Sequence, residues 1–363
     1  MTRLAIAHDW MVGWTGSERC VDELVRAYPT ARVLTTVVRR EVLPATLHRA
    51  EPSFLQRLPG ATSHHEWLLP LMPLAWRTRR PVRDADVVLS SSHACSKAVR
   101  AEPGIPHVCY CYTPMRYAWR FADEQARFPR GLRTASRASM IGFRAWDRRT
   151  ARRVDRFVAI STGIREWIRR AYGRSADVVA PPVRTDFFTP GDTRGDAFLY
   201  VGRLVGYKRP DLVVDAFRGT PYRLDVVGAG NVAPEVRARA GGNVRFLGHV
   251  DEEELRTLMR RARALVHPAD EDFGIAMAEA QACGTPVIGL ARGGARDIVR
   301  DGRTGWLIED QRVETIRRAL RRAADEPLDP NEIRRNALRF STAAFREGIT
   351  EVIEEAAHGG GRR

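Results

Sequence analysis

The sequence predicts an α/β protein made of two doubly wound domains, each a parallel sheet covered by helices. The chain has 363 residues, which is more than one ordinary hydrophobic core accommodates. Short β-like runs alternate with helical stretches, a pattern typical of parallel sheets with covered faces. These runs form two series, and the segment between them, residues 180–195, is rich in Pro, Gly and Asp. Such a composition indicates a linker between two domains.

In chain order, the predicted strands form a first series of five and a second series of six. The first comprises residues 4–8, 32–37, 86–90, 107–111 and 157–161. The second comprises residues 197–202, 222–228, 244–248, 264–268, 286–290 and 305–308. We therefore predict an N-terminal domain over residues 1–182, a C-terminal domain over 183–338, and a closing helix with a flexible Gly-Arg tail over 339–363.

The composition is that of a soluble globular protein, with 44% hydrophobic and 28% charged residues. The longest apolar run, residues 67–76, contains two prolines and is about half the length that a membrane span requires. The N-terminus shows no signal-peptide apolar region. Five cysteines are too sparse for a disulfide framework or a pair of zinc knuckles. We therefore expect a cytoplasmic protein with reduced thiols.

The net charge of +15 is the main anomaly of the composition, because such an excess attracts acidic partners or membrane surfaces. However, all but two of the 59 basic residues are arginine. This bias indicates a general codon preference and weakens the charge as evidence for a partner. The same bias makes the two lysines, Lys97 and Lys208, candidates for a specific role.

Two glutamates frame the strongest motif, which begins at Glu271 and ends at Val287. Glu271 follows a predicted strand, and Glu279 lies eight residues further on, in the next helix. This spacing places one carboxylate at the helix start and the other about two turns along, on a similar side. N–H groups at a helix start bind anions, and carboxylates accept hydrogen bonds from sugar hydroxyls. Taken alone, such a pair is more often a helix-start and a surface glutamate.

A second motif, Gly202-Arg203-Leu-Val-Gly-Tyr-Lys208, follows the first strand of the second series. Two cations at the carboxyl end of a strand could neutralise a diphosphate leaving group as its charge develops. The alternative is two further basic residues in a basic chain. Lys208 argues against that alternative, because it is a compact ammonium where nearly all other cations are guanidinium groups.

Residues Glu271 to Val287 resemble the signature Glu-x-Phe-Gly-Ile-x3-Glu-Ala-x-Ala-x-Gly-x-Pro-Val of the nucleotide-sugar-dependent glycosyltransferases of family 4. The Gly-Arg-x4-Lys pattern is similar to one in the same family. The resemblance extends over almost the whole chain. It implies the GT-B fold, in which two Rossmann-like domains face a central cleft and a C-terminal helix crosses back to the first domain.

The resemblance also implies a role for the residues of both motifs. Around the donor sugar it places Glu271 and the backbone of Phe273, Gly274 and Ile275. It assigns the ribose hydroxyls to Glu279, and the diphosphate to Arg203 and Lys208. In this picture Glu271 orients sugar hydroxyls and is not a covalent nucleophile.

Glycine-containing turns supply further candidates for donor binding. Gly228 and Gly230 follow a predicted strand but lack the full dinucleotide fingerprint, so nucleotide contact and a plain tight turn are equal alternatives. Gly13 and Gly16 follow the opening strand, where glycine allows the backbone to approach a ligand. A similar loop in the family faces the donor phosphates and the acceptor; an ordinary strand-to-helix turn is the alternative. We also predict that Gly202 contributes to donor binding.

His93 follows a strand end within a Ser-Ser-His segment similar to that of family 4 mannosyltransferases. This similarity implies a role near the transferred sugar, while a lone His is otherwise more often structural. Tyr112 and Arg116 lie in another segment that resembles this subgroup, and we assign them to the acceptor side. Relatives more often carry His and Asp where this chain has Tyr112 and Arg120, a departure that bears on acceptor identity.

Residues 130–156 contain nine arginines and two aspartates and have mostly helical character. A solvated helix face in an arginine-rich chain is the first interpretation. Contact with an anionic lipid or a phosphate-bearing acceptor is the second, supported by the nearby apolar run at residues 67–76. No nucleic-acid recognition motif accompanies the charge, so we expect no nucleic-acid partner.

We therefore expect a retaining hexosyltransferase of polysaccharide biosynthesis, with GDP-mannose as the donor by subgroup resemblance. The acceptor is a glycan, a lipid-linked sugar or a small glycoside. No cofactor and no essential metal are expected, because Asp84-Ala-Asp86 precedes its strand instead of following it. The alternatives are a UDP-sugar-dependent transferase of the same fold, a nucleotide-sugar epimerase, and a basic protein that binds nucleic acid or membranes.

Overall fold

A computed structural model describes residues 2–119, 133–191 and 194–359, without the side chains of residues 117 and 133–139. The chain divides into two units. The first unit contains Met1–Pro182 together with the C-terminal segment from Phe345, and the second contains Val183–Ala344. Each unit is built on its own parallel sheet.

The first sheet has six parallel strands. They are β1 (Leu4–His8), β2 (Arg32–Thr35), β3 (Val87–Ser92), β4 (His107–Cys111), β5 (Arg156–Ala159) and β6 (Ala176–Val178). Their order across the sheet is β2-β1-β3-β4-β5-β6. The strand order therefore reverses between β1 and β3, and ligands of open α/β sheets bind at the carboxyl ends of the strands that flank such a reversal.

Helices cover this sheet. They are α1 (Gly16–Ala27), α2 (Met72–Thr78), α3 (Arg116–Trp119), α4 (Arg133–Ala151) and α5 (Thr162–Tyr172). Short 3-10 helices span Arg40–Val42, Ala45–Leu47, Phe54–Arg57, His65–Leu71 and Ser96–Ala98. In α1 the apolar residues Val21, Leu24 and Val25 are buried and Arg26 is exposed, as the period of an amphipathic helix requires. The helix α4 coincides with the predicted basic helical stretch.

Strand β6 is the one strand of the described residues that the sequence did not predict. It has three residues, none of them buried, at the edge of the sheet. An exposed edge strand needs no run of apolar residues, and hydrophobic patterning therefore does not reveal it.

The last helix, α13 (Thr342–Gly359), belongs to the first unit from Phe345 onward. The ring of Phe345 packs edge-on against Tyr110 of β4, with centroids 5.7 Å apart. The Glu354 carboxylate accepts hydrogen bonds from Thr2 Oγ1 and Tyr28 OH, at 2.6 and 3.2 Å. The predicted return of the C-terminal helix to the first domain is confirmed.

The second sheet also has six parallel strands. They are β7 (Phe198–Val201), β8 (Leu224–Val227), β9 (Val244–Gly248), β10 (Leu265–His267), β11 (Val287–Leu290) and β12 (Gly305–Ile308). Their order is β12-β11-β10-β7-β8-β9, which is the Rossmann arrangement. Here the strand order reverses between β7 and β10.

The helices of the second unit are α6 (Pro210–Phe217), α7 (Ala233–Arg239), α8 (Glu252–Arg261), α9 (Ile275–Ala282), α10 (Ala295–Ile298), α11 (Val313–Asp325) and α12 (Pro330–Leu338). A 3-10 helix over Gly206–Lys208 precedes α6. The core lies between the sheet and these helices and includes Phe198, Phe217 and Trp306. The two doubly wound sheets predicted from the sequence are therefore present.

Within the described ranges, every helix is too short or too polar to cross a membrane. All five cysteines are buried and free, as predicted for Cys109 and Cys111. Burial raises the pKa of the Cys20 thiol to about 12 and holds this thiol in its neutral form.

Candidate functional site

The two motifs of the second unit meet at the carboxyl edge of its sheet. Arg203 and Lys208 follow β7, and Glu271 follows β10. These neighbouring strands flank the point where the strand order reverses, which is where ligands of this sheet type bind. The topology therefore brings together residues that are more than 60 positions apart in the sequence.

Lys208 and Glu271 form a direct ion pair, with Nζ and Oε1 2.7 Å apart and side chains 16% and 13% exposed. The same carboxylate oxygen lies 3.2 Å from Nε2 of His267, the last residue of β10. His267 is buried, and its ring stacks on Tyr200 of β7 at a centroid distance of 6.1 Å. His267 is not among the site residues predicted from the sequence.

The Glu271 carboxyl is held in its ionised form. Burial by itself would raise its pKa, but the hydrogen bond from His267 and the charge of Lys208 outweigh burial and hold the pKa well below its usual range. A buried carboxylate that stays anionic at neutral pH can only accept hydrogen bonds. This is the property required of a group that binds sugar hydroxyls.

Arg203 is exposed, and its Nη2 lies 3.2 Å from the hydroxyl oxygen of Tyr207. Lys208 is followed by Arg209, which is the one non-glycine residue with positive φ (52°) in the described part of the chain. Its guanidinium is held by Asp211 through two hydrogen bonds of 3.1 and 2.9 Å. A left-handed non-glycine residue is strained by about 1 to 3 kcal/mol, and such strain concentrates at functional sites.

The predicted glycines at this edge are explained by close contacts between loops. A Cβ on Gly228 would overlap the carbonyl oxygen of Gly202, and one on Gly230 would overlap that of Leu204. The two loops are also joined by a hydrogen bond from Gly202 N to Val227 O of 3.1 Å. Gly202 in turn makes room for the Lys208 side chain, whose Cδ would lie 3.4 Å from a Cβ there. Packing alone therefore accounts for Gly228 and Gly230, and their contact with a nucleotide stays a prediction.

The remaining donor-side residues surround the start of α9. Gly274 is its N-cap, with φ 96°, a conformation that favours glycine. Phe273 is buried and packs edge-on against Phe340, with ring centroids 5.4 Å apart. Ile275 and Glu279 are half-buried on α9. The first N–H groups of a helix have no intrahelical acceptor, so the start of α9 beside Glu271 offers donors to an anionic or hydroxyl-rich ligand.

A second pair of glycines, Gly293 and Gly294, supports the Glu271 loop and is not among the residues predicted from the sequence. The N–H of Gly294 donates to Glu271 O at 2.9 Å. A Cβ on Gly293 would overlap Glu271 O, and one on Gly294 would overlap Phe273 O. The Gly-Gly pair in the loop after β11 is the signal that could have revealed this contact.

In the first unit, the residue after β1 shapes the loop that carries His93. The buried Asp9 carboxylate accepts backbone hydrogen bonds from the four consecutive residues His93, Ala94, Cys95 and Ser96, at 2.7, 2.9, 2.5 and 2.6 Å. It also lies 3.3 Å from His93 Nδ1. Strands β1 and β3 flank the reversal in strand order, so His93 stands at the corresponding edge of the first sheet.

The His93 imidazole is mostly enclosed, with 22% of its side chain exposed, and it packs at right angles against Trp10 at 4.6 Å. Burial lowers the pKa of His93, more than the charge of Asp9 raises it. Burial also opposes ionisation of Asp9, but the neighbouring His93 and His8 rings and the backbone donors outweigh it and lower the Asp9 pKa. A neutral imidazole beside a carboxylate results. Its role near a transferred sugar stays a prediction.

Tyr112 belongs to a buried hydrogen-bond network in the first unit. Its hydroxyl lies 2.8 Å from Ser91 Oγ and donates to Ser17 O at 3.1 Å. Ser91 Oγ is also 3.0 Å from Nδ1 of His8. Tyr112 is itself buried; its network explains its position without an acceptor, and the acceptor role stays a prediction.

The other first-unit candidates lie in the loop after β1 and at the starts of two helices. Gly13 is not confined by the protein, since a Cβ there would meet its nearest neighbour at an ordinary 3.7 Å. Gly16 begins α1, and Arg116 begins α3. Arg120, the departure from the subgroup pattern, and Arg130, where the basic stretch begins, lie outside the described residues.

In the described ranges, no group of three or more His, Cys, Asp or Glu residues is arranged to hold a metal ion. Asp86, one of the two aspartates of the Asp84-Ala-Asp86 segment, precedes β3 and accepts hydrogen bonds from Arg3. Metal-independent catalysis stays a prediction.

Two family models match the chain in sequence. The model described as "Glycosyltransferase Family 4" matches residues 14–187. The model described as "Glycosyl transferases group 1" matches residues 185–340. The first range contains every strand of the first sheet except β1, and the second contains all six strands of the second sheet.

Curated relatives are similar over part of the chain. A D-rhamnosyltransferase of Pseudomonas aeruginosa is 35% identical over 148 residues, which cover 39% of this chain and 39% of the relative. A D-inositol 3-phosphate glycosyltransferase of Rhodococcus erythropolis is 33% identical over 239 residues, which cover 56% of this chain and 54% of the relative. The chain thus spans about two fifths of the first relative and about half of the second.

Solved structures are similar over the whole chain. Anabaena HepE in complex with UDP and glucose has a TM-score of 0.71 at 16% identity and covers 98% of this chain and 100% of its own. Sucrose-phosphate synthase from Thermosynechococcus elongatus has a TM-score of 0.76 at 18% identity, with coverages of 98% and 99%. At this identity the similarity establishes the fold, which is GT-B as predicted.

Proposed function

Because the chain belongs to glycosyltransferase family 4, we propose that it transfers a hexose from a nucleotide sugar to an acceptor with retention of anomeric configuration. The observation that carries this proposal is the cluster at the carboxyl edge of the second sheet. There Lys208 Nζ and His267 Nε2 lie 2.7 and 3.2 Å from Glu271 Oε1, beside the start of α9. The arrangement presents a cation for a diphosphate and an anion for hydroxyl groups.

The proposed role of each residue follows from the charge that develops on the donor during the reaction. As the bond between the sugar and the diphosphate breaks, negative charge accumulates on the leaving group, and Arg203 and Lys208 stabilise it. Glu271 accepts hydrogen bonds from sugar hydroxyls and fixes the orientation of the ring. The acceptor attacks from the face that the diphosphate leaves, and a phosphate oxygen assists its deprotonation. These steps require no metal and no cofactor besides the donor.

We propose GDP-mannose as the donor, on the resemblance of the His93 and Tyr112 segments to mannosyltransferases. A UDP-sugar is the second candidate, and one observation favours it: HepE, which has the same fold, is described in complex with UDP and glucose. The acceptor is a glycan, a lipid-linked sugar or a small glycoside, as in the assembly of a surface polysaccharide.

A thermal-shift titration with GDP, UDP and ADP, each with EDTA and with Mg²⁺, tests the donor. A ligand at 100 times its Kd stabilises the folded state by about 2.7 kcal/mol. Stabilisation by GDP in the presence of EDTA supports the mannosyl donor without metal. A preference for UDP overturns the donor and keeps the class of reaction. No response to any nucleotide contradicts the proposed function. Conversion of the donor to another nucleotide sugar with no acceptor present would indicate an epimerase.

We further propose that the protein works in the cytoplasm and contacts an anionic membrane surface. Trp67, Leu71 and Leu74 are 78%, 41% and 47% exposed on consecutive turns of the segment that ends in α2, and the exposed Arg77 and Arg80 follow. Apolar anchors flanked by cations favour a lipid interface. Co-sedimentation with phosphatidylglycerol vesicles tests this contact. Trp67→Ser should weaken binding, and Leu338→Ser, an exposed leucine of the second unit, should not. If both variants bind the vesicles equally well, the proposed membrane contact is contradicted.

A further inference from the structure

The pairing of Lys208 with Glu271 cannot persist through the reaction proposed above. The Lys208 ammonium is assigned to the diphosphate and the Glu271 carboxylate to the sugar. In the structure, however, the two groups are paired with each other at 2.7 Å. When Lys208 turns to a phosphate oxygen, Glu271 loses its nearest cation. The carboxylate is enclosed, with 13% of its side chain exposed, and burial favours protonation of an unpaired carboxylate. A protonated Glu271 would offer one acceptor fewer to the sugar.

His267 is the contact that remains. Its Nε2 lies 3.2 Å from Glu271 Oε1, and because a carboxylate can only accept, Nε2 must carry the proton. The ring is 2% exposed, and the buried Nδ1 has no hydrogen-bond partner within the described ranges. The Glu271 carboxylate is thus the ring's one described hydrogen-bond partner. The stacking of the ring on Tyr200 at an interplanar angle of 14° holds this orientation without a second polar contact.

We propose that His267 is a positioning residue, which keeps Glu271 ionised and oriented toward the donor sugar after Lys208 has moved to the diphosphate. This inference rests on the proposed function and assigns to that site a residue that acts through Glu271 instead of touching the sugar. The ionisable groups that act on Glu271 include Lys208 from the 3-10 helix, His267 from β10 and Tyr200 from β7. Burial and the charge of Glu271 raise the pKa of Tyr200, so its phenol stays neutral, but its hydroxyl has no hydrogen-bond partner within the described ranges. When Lys208 turns to the diphosphate, His267 is the side chain that still donates to the carboxylate.

Two substitutions separate the hydrogen bond from the packing. His267→Phe keeps a flat ring against Tyr200 and removes the donor. His267→Gln places an amide N–H near the position of Nε2 and restores the donor. Tyr200→Phe keeps the stacking surface and serves as the matched control. Circular dichroism and the unfolding midpoint establish that each variant is folded.

The measured quantity is the contribution of the sugar to binding. It is the ratio of the Kd of GDP to the Kd of GDP-mannose, both determined by calorimetry. UDP and UDP-glucose form a second pair of ligands for the same ratio. In His267→Phe this ratio should fall about 10-fold, as expected for the loss of a hydrogen bond to a charged group. The Kd of GDP should stay within about twofold of its original value. The loss should deepen as the pH falls from 8 to 5.5, because Glu271 protonates more readily without its donor, and His267→Gln should reverse it.

A ratio unchanged in His267→Phe, an equal loss of affinity for GDP and GDP-mannose, or a failure of His267→Gln to restore the ratio each overturns the inference while the proposed function stands. If the unmodified protein binds no nucleoside diphosphate at all, the proposed function fails and the inference fails with it. The two failures are therefore distinct in the same set of titrations.

Discussion

Lys208 Nζ and Glu271 Oε1 are 2.7 Å apart, although the resemblance assigns them to different parts of a donor molecule. In the proposed reaction this ion pair satisfies both charges before the donor binds. The proposal requires the pair to open on donor binding, so that the diphosphate replaces the carboxylate as the partner of the ammonium. The structure therefore joins the two motifs of the second unit into one site.

Lys208→Ala should lower kcat by about 100-fold or more, the effect of removing one preorganised donor from a developing charge. Release of nucleoside diphosphate from the nucleotide sugar is the readout. Arg318→Ala is the matched control, because Arg318 is an exposed cation of α11. A loss smaller than about fivefold would contradict the assignment of Lys208 to the leaving group.

The two lysines should respond to substitution in opposite ways. Lys97 is buried and lies 2.5 Å from Asp147 Oδ1, with both side chains fully enclosed. Lys97→Met leaves a buried carboxylate uncompensated and should lower the free energy of unfolding by about 3 to 5 kcal/mol. Lys208→Met should lower the free energy of unfolding by less than Lys97→Met does, because its partner Glu271 is also held by His267 and the pair is partly exposed, whereas the Lys97 pair is fully enclosed.

Denaturant unfolding measures the stability of both variants, and calorimetry with GDP or UDP measures their affinity. Folded Lys97→Met should bind the nucleotide like the unmodified protein, and Lys208→Met should bind it more weakly. A stable Lys97→Met variant, or one that folds but loses nucleotide affinity, would contradict a purely structural role for Lys97.

Much of this site was accessible from the sequence, because the informative residues are close together along the chain. The spacing of Glu271 and Glu279 and the rarity of lysine pointed to the second unit. Both lysines stood out equally by composition, however, and only packing distinguishes the buried Lys97 from Lys208. Burial depends on contacts such as that with Asp147, 50 positions away, which no local pattern encodes.

The supports of the site were less predictable for the same reason. The four N–H groups that donate hydrogen bonds to Asp9 belong to residues 84 to 87 positions further along the chain. Gly293 contacts the Glu271 loop, although the two loops follow different strands, β11 and β10. Periodicity identifies strands, but the order of strands in the sheet decides which loops become neighbours.

Gly228→Ala should destabilise the second unit, because a Cβ at this residue, whose φ is 128°, would overlap the carbonyl oxygen of Gly202. Overpacking of this kind costs about 1 to 3 kcal/mol, and the positive φ adds strain. Gly206→Ala is the matched control, since a Cβ there would meet no atom within 4 Å. Equal unfolding midpoints for the two variants would show that the two loops are not tightly packed.

Asp9 should make stability depend on pH. Its carboxyl has a folded-state pKa below the usual value of 3.8, so its contribution is complete above that value. It is lost as the pH falls through the lower folded-state pKa, since the unfolded chain then binds the proton more readily. Asp9→Asn places an amide N–H against backbone donors and should cost about 3 to 5 kcal/mol at pH 7.

The free energy of unfolding, measured between pH 7 and pH 3, tests this. The difference between the unmodified protein and Asp9→Asn should be constant from pH 7 to about pH 5 and should shrink at lower pH, as Asp9 becomes protonated. Asp84→Asn, an exposed aspartate of the same unit, should leave the profile unchanged within about 0.5 kcal/mol. A difference that stays constant down to pH 3 would show that the cost of Asp9→Asn comes from shape and not from the charge of the carboxylate that holds the His93 loop.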